Sequence, residues 1–299
     1  MGHARLDCEP FQANPSPVST TPKPSFPSMP PPWPGVQLYV PGGRIFMRRS
    51  GNPGGPKLLL LHGWAVHGGM YQGMRDALEE HFELLVPDLR GHGYSATPSR
   101  SAHWKIEHFA DDLIAGLDQL GVDQFHLGGY SMGGFVALAL AQKVPDRIRG
   151  IAIMCSAARQ TEQVRRNLVA AQAAFRVLPP TMMQFISKRL LAGPGSPEGF
   201  ARILQWLLGY NTRGGISGAA GAMRRADLRE GLANLHHPTL VVTAEHDTAI
   251  PRRSSHELVD LLPNVTHRHW EDAGHALVAS HGDELSQELI AFFSGISSP

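Results

Sequence analysis

Five short runs are apolar without alternation: LLLLHG at 58–63, ELLVPD at 83–88, FHLGGY at 125–130, GIAIM at 150–154 and TLVVTAE at 239–245. A strand with one face in water alternates polar and apolar residues, whereas a strand covered on both faces does not. Each run therefore reads as a buried strand of a parallel sheet. Helical patterns fall between and after them, near residues 69–81, 106–120, 132–144, 252–262 and 283–293. Strands that alternate with helices in this way give an α/β fold, a mostly parallel, doubly wound sheet with helices on both faces. VQLYV and RIFMR, separated by Pro-Gly-Gly, read as an opening hairpin.

The alternation breaks once, between Ala157 and about Asn234. That span holds the helix-like segments QVRRNLVAAQAAF and PTMMQFISKRLL, then the glycine-rich passage LGYNTRGGISGAAGA, and no strand pattern. The expectation is a helical lid over 157–234, inserted between two strands of a core made of 35–156 and 235–299. Placed over the carboxyl ends of the strands, where open α/β sheets bind ligands, it would cover a site. Residues 1–34 form a Pro-rich tail with Pro at 10, 15, 17, 22, 24, 27, 30, 31, 32 and 34. Such spacing supports neither helix nor sheet ladders, so the tail is expected to be disordered.

Charge narrows the partners. With 27 Lys plus Arg against 26 Asp plus Glu, no electrostatic draw toward nucleic acid or an anionic surface is expected, and a small or neutral molecule is favoured. The first ten residues lack the apolar stretch of a secretory signal, and no run is long and apolar enough to span a bilayer. Cys8 and Cys155 do not make a disulfide framework, and Cys155 reads as core. The expected location is cytoplasmic.

The chemistry centres on GGYSMGG at 128–134. The pattern Gly129-x-Ser131-x-Gly133 falls between a strand and an Ala/Leu-rich helix. A sharp strand-to-helix turn strains its central residue and crowds the positions two before and two after it, so glycine is needed there. Ser131 then stands clear of the sheet at a helix N-terminus, where unpaired amides favour negative charge. Ser217, in GGISGAA, has similar glycine density but neither the spacing nor a preceding strand, and is expected in a flexible loop.

A nucleophilic serine needs a base, and the base needs an orienting carboxylate. His275, in EDAGHAL, follows the strand-like VTHRHW and precedes the last helix. TLVVTAEHDTAIP ends a strand near Asp247, with Glu245 and Asp272 as competing acids. The order serine, acid, histidine is one known solution to triad geometry. His267 and His269 alternate on a strand without a third spaced ligand, so no metal is expected.

Together LLLLHGW, VPDLRGHGYS, GYSMGG, AEHDTAIP and AGH resemble the α/β-hydrolase family over essentially everything from Gly35 onward. The resemblance implies the α/β-hydrolase fold and selects Asp247 as the triad acid with Ser131 and His275. It implies an oxyanion hole from the amides of Trp64 and Met132, no cofactor, and structural roles for His62, Asp88 and His92. Serine at the elbow, where relatives that open epoxides or remove halides carry aspartate, implies acyl chemistry on a carboxylic ester, thioester or lactone. Small carboxylesterases, including carrier-protein methyl esterases of biotin synthesis, and 3-oxoadipate enol-lactonases are the groups it resembles. Carbon-carbon bond hydrolysis of ring-fission products and a non-catalytic ligand receptor are the alternatives. Trp64, Met182, Met183, Phe185, Trp206 and Leu207 are expected to line an acyl pocket under the lid, although apolar residues at helical spacing also serve as plain core.

Overall fold

The backbone groups of the five apolar runs find their partners in one eight-stranded sheet, in the order β1-β2-β4-β3-β5-β6-β7-β8. The computed structural model describes residues 33–98, 104–177 and 206–296. The Pro-rich tail up to residue 32 and the pocket residues Met182, Met183 and Phe185 lie outside the described residues. The strands are β1 (Gly35–Val40), β2 (Gly43–Gly51), β3 (Lys57–Leu61), β4 (Glu83–Asp88), β5 (Phe125–Tyr130), β6 (Ile148–Met154), β7 (Thr239–His246) and β8 (Val265–Gly274). β1 and β2 form the antiparallel hairpin expected from Pro-Gly-Gly, with Val40 paired to Gly43. β2 meets β4 antiparallel, and every pair from β4 onward is parallel.

Unbroken apolar runs make sense once both faces are seen to be covered. Leu59 and Leu61 of β3 point into a core with α2 (Ile106–Gln119) and α3 (Met132–Lys143), built around Phe109, Leu113, Phe135 and Val136. Leu58 and Leu60 point the other way, against Tyr71, Leu78, Leu285, Leu289 and Phe293. These belong to a 3-10 turn (Gly68–Met74), to α1 (Arg75–Glu79) and to the last long helix (Gly282–Ser294). All four leucines are 0% exposed, and each fully buried side chain contributes about 1.5–3 kcal/mol.

Two expectations need correction. The helix expected over 69–81 is half 3-10: GGMYQGM puts three glycines in one short stretch, and each costs about 1 kcal/mol relative to alanine in an α-helix. The loop expected around Ser217 is a regular helix. After α4 (Glu162–Val177), helix α5 (Arg213–Arg225) contains RGGISGAAGAMRR, and Ser217 is 4% exposed inside it. Its glycines are spacers. A methyl on Gly215 would lie 1.9 Å from the Gly91 carbonyl oxygen, and one on Gly218 2.2 Å from the Trp104 ring. The Thr212 hydroxyl caps the helix by accepting from the Gly215 amide. Helices α4 and α5 do sit between β6 and β7 in chain order, as the break in alternation requires.

Candidate active site

Strand register brings Ser131, Asp247 and His275 together. Tyr130 at the end of β5 pairs with Met154 at the end of β6, so Ser131 and Cys155 leave the sheet side by side. On the other side, the β7–β8 register shifts between Ala244 and His246, where β8 carries two extra residues, and this pairs His246 with Gly274. Asp247 and His275 are the next residues on each strand. The site therefore lies at the carboxyl ends of the parallel strands, where side chains from separate loops converge.

Ser131 has φ 52° and ψ −115°, a conformation a non-glycine residue adopts only when its surroundings enforce it. Several contacts do so. Its amide donates to the Met154 carbonyl at 2.9 Å, and its carbonyl accepts from Ser156 Oγ at 2.8 Å and from the Gly134 amide at 2.9 Å. A methyl on Gly129 would stand 2.3 Å from the Gly133 carbonyl oxygen, and one on Gly133 2.2 Å from that of Leu61. These are the two positions that the turn geometry assigns to glycine. Gly134 abuts Ser156, so α3 starts close against the end of β6. Gly128, for which the sequence offers no role, leaves room for Leu60 on the neighbouring strand.

His275 Nε2 lies 3.1 Å from Ser131 Oγ, and His275 Nδ1 lies 2.9 Å from Asp247 Oδ2. A carboxylate only accepts, so Nδ1 carries the proton and Nε2 is left as an acceptor facing the hydroxyl. The other carboxylate oxygen of Asp247 accepts from the amides of Ala249 at 2.9 Å and Ile250 at 2.8 Å. Those two bonds fix the acid independently of the histidine. The Asp247 and His275 side chains are each 6% exposed, so little water competes for the contact. The other two acids are elsewhere: Glu245 bonds Arg252 and His269, and Asp272 lies beside His281.

The turn after β3 lies against the elbow, since a methyl on Gly63 would be 3.5 Å from Ser131 Cβ. Trp64 follows in that turn, and Met132 is the first residue of α3, whose amide has no acceptor within its own helix. His62 holds the turn: Nδ1 lies 2.7 Å from the Gly63 carbonyl, and Nε2 accepts from the Leu89 amide at 2.9 Å. Burial, and then His92, hold His62 well below the ordinary imidazole range, so it stays neutral. Burial likewise lowers His92 and His67 to about 4. Asp88 forms a buried ion pair with Arg48 and accepts from the amides of Gly68 and Tyr94. Burial pushes its carboxyl up, but Arg48 and His67 outweigh that, leaving it below the usual range.

Three neighbours of the site carry no sequence pattern that singles them out. The Tyr130 hydroxyl donates to the His275 carbonyl, and its ring lies 5.3 Å from the imidazole. Cys155, with φ 46°, is in the core as expected but also meets Asp247, whose carboxylate, the His275 ring nitrogen and Sγ lie within 4.8 Å of one another. Burial and then Asp247 raise its thiol well above the ordinary value, so it stays protonated and is no competing nucleophile. Asn211 bonds the Ala65 carbonyl beside Trp64.

Trp64 packs edge-on to Phe175 of α4 at 5.3 Å, in an apolar cluster with Ala65, Val66, Leu207, Leu208 and Ile216. Trp206 is half-buried at the rim of this cluster, its ring 4.8 Å from that of His67. His267 and His269 share the Thr243 hydroxyl at 2.9 and 2.8 Å on the β7–β8 face. Among the described residues, no helix is long and apolar enough to cross a membrane.

Comparison with known proteins agrees with this architecture. Residues 56–281 match the model of the family described as the alpha/beta hydrolase fold. A pimeloyl-[acyl-carrier protein] methyl ester esterase of Xanthomonas campestris pv. campestris is 26% identical over 255 residues, covering 81% of this chain and 96% of that protein. The structure of a thermophilic esterase from Thermogutta terrifontis superposes with TM-score 0.79 at 27% identity, over 89% of this chain and all (100%) of that one. An enol-lactonase from Burkholderia xenovorans LB400, at TM-score 0.80 and 23% identity over 87% of this chain and 100% of its own, shares the fold.

Proposed function

Because the chain belongs to the α/β-hydrolase fold family and is a hydrolase of that family, we propose that it cleaves a carboxylic ester, thioester or lactone through an acyl-enzyme formed on Ser131. The observation that carries this reading is His275 standing between Asp247 and Ser131 at 2.9 and 3.1 Å, in the tautomer that leaves Nε2 facing the hydroxyl. In the reaction, His275 takes the Ser131 proton as Oγ attacks the carbonyl carbon. It then gives that proton to the departing alkoxide or thiolate. In the second half it deprotonates the water that attacks the acyl carbon and returns the proton to Ser131. Asp247 holds the imidazole and stabilises its charged form.

The tetrahedral oxygen is received by the amides of Trp64 and Met132. Removing one such donor costs about 3–4 kcal/mol of transition-state stabilisation. The neighbouring methyl ester esterase and thermophilic esterase names, both from proteins at least 26% identical, favour an ester among the three substrate classes. Trp64, Val66, Phe175, Leu207, Leu208 and Ile216 offer the reacting carbonyl an apolar neighbour, so an apolar acyl or alcohol group is the fit. In this reading the inserted segment 157–234 is the lid over that pocket, and Trp206 lines its rim.

A panel of p-nitrophenyl esters of increasing acyl length, run with wild type and Ser131→Ala, tests the reading. We expect turnover by the wild type with an optimum at one chain length, and loss of turnover in the variant. Full rate in the alanine variant, or a wild type inert toward esters, thioesters and lactones alike, overturns it.

A further inference from the structure

The turn that carries Trp64 is held from outside the sheet. Ala65 has φ 61° and is 4% exposed, a left-handed conformation that a residue with a Cβ keeps only under external restraint. The restraint comes from the inserted segment. Asn211 Nδ2 donates to the Ala65 carbonyl at 2.6 Å and to the Leu207 carbonyl at 3.0 Å, while Asn211 Oδ1 accepts from the Gly93 amide at 2.8 Å. Both amide protons and the carbonyl oxygen are thus committed, to three different stretches of chain. On the other side of the same turn, the Trp64 indole Nε1 donates to the Ile216 carbonyl of α5 at 2.8 Å.

Trp64 is therefore bracketed. Its side chain is tied to α5, and the carbonyl of the next residue is tied to Asn211, one residue before the Thr212 cap of that helix. We propose that Asn211 is a positioning residue for the oxyanion hole, holding the strained Trp64–Ala65 turn so that the Trp64 amide faces the acyl carbonyl on Ser131. The consequence is that the hole is completed by the inserted segment and not by the sheet alone. A preorganised donor is worth more than one that must be oriented during the reaction, so loosening the clamp weakens the transition state and leaves ground-state binding largely intact. The inference rests on Ser131 being the acylated nucleophile.

The test uses the full chain with Asn211→Ala and the isosteric Asn211→Asp. Three quantities are read for each: kcat and KM on the best p-nitrophenyl ester, the affinity for an alkyl trifluoromethyl ketone that adds to serine as an oxyanion, and the affinity for the corresponding secondary alcohol, which cannot form one. We expect kcat and trifluoromethyl ketone affinity to fall together by about 10- to 100-fold, with KM and alcohol affinity changing less than about threefold. Should Asn211→Ala melt below the assay temperature, the isosteric variant decides by the same comparison. A kcat within twofold of wild type in the folded variants overturns the inference. So does a parallel loss of kcat, KM and alcohol affinity, which would mean a general packing role. A wild type that neither turns over ester nor binds the ketone instead overturns the serine-hydrolase reading itself.

Discussion

Residues 128–134 and 214–220 each set one serine among several glycines, and folding uses the two sets of glycines in opposite ways. In the first, glycines at 129 and 133 clear the backbone on either side of a residue held at φ 52°, so the serine is strained and aimed. In the second, glycines at 215 and 218 let a regular helix approach Gly91 and Trp104, and the serine is one buried position among small residues. Glycine density is the same signal in both, and what separates them is the element before the serine. Glycines two before and two after a serine at a strand's end make room for a sharp turn, whereas glycines three apart along a capped helix make a flat face for close packing.

The two serines should differ most in activity. Ser131→Ala is expected to lower kcat by at least about 1,000-fold, leaving what the oxyanion hole and binding supply, whereas Ser217→Ala should stay within about twofold. An esterase assay on the two purified variants measures both. The next largest contrast lies in the glycines. Gly133→Ala pushes against the Leu61 carbonyl and the His62 turn, so we expect about a 100-fold loss of kcat or more. Gly218→Ala pushes against an indole ring instead. It should destabilise the fold by about 1–3 kcal/mol in urea titration and leave kcat of the folded protein close to wild type.

Acid should act outside both serine regions, because His62, His67 and His92 are buried in the turns after β3 and β4 while neither 128–134 nor 214–220 contains a histidine. His67 and His92 sit at about 4 in the folded state against 6.5 when unfolded. The unfolded chain therefore binds more protons between those limits, so stability is full above about pH 6.5 and falls as pH drops toward 4. Each of the two contributes up to about 3 kcal/mol to that loss. Urea midpoints measured from pH 7.5 to 4.5 should decline, and His92→Gln should flatten the curve. The smallest effect expected is at Gly209, which has nothing within 4 Å of an added methyl. Gly209→Ala should be neutral or stabilise by up to about 1 kcal/mol, measurable as a rise in Tm.

Much of this was legible because it is periodic or local. The buried strands announce themselves as unbroken apolar runs, and Ser131, Asp247 and His275 each close a strand with the residue type the chemistry needs. The family resemblance chose Asp247 over Glu245, and the geometry gives a reason: two extra residues in β8 between Trp270 and Gly274 bring Gly274 opposite His246, so the next residue, His275, meets Asp247. What could not be read were contacts made across long separations by residues of ordinary type. Tyr130 reaches His275 over 145 positions, and Asn211 reaches Ala65 over 146, with no spacing rule to announce either. The helix at 213–225 was hidden for a different reason. Its stability comes from packing against Gly91 and Trp104, and glycine's poor intrinsic helix propensity points the other way.

Acid-quenching the protein during steady-state turnover of a p-nitrophenyl ester shows whether the strained serine of 128–134 is the acylated nucleophile. The intact mass is then read, and the acylated peptide sequenced. One acyl group per chain is expected on the peptide containing Ser131, absent from Ser131→Ala. Turnover with the acyl group on another residue, Ser217 or Cys155 included, would contradict it.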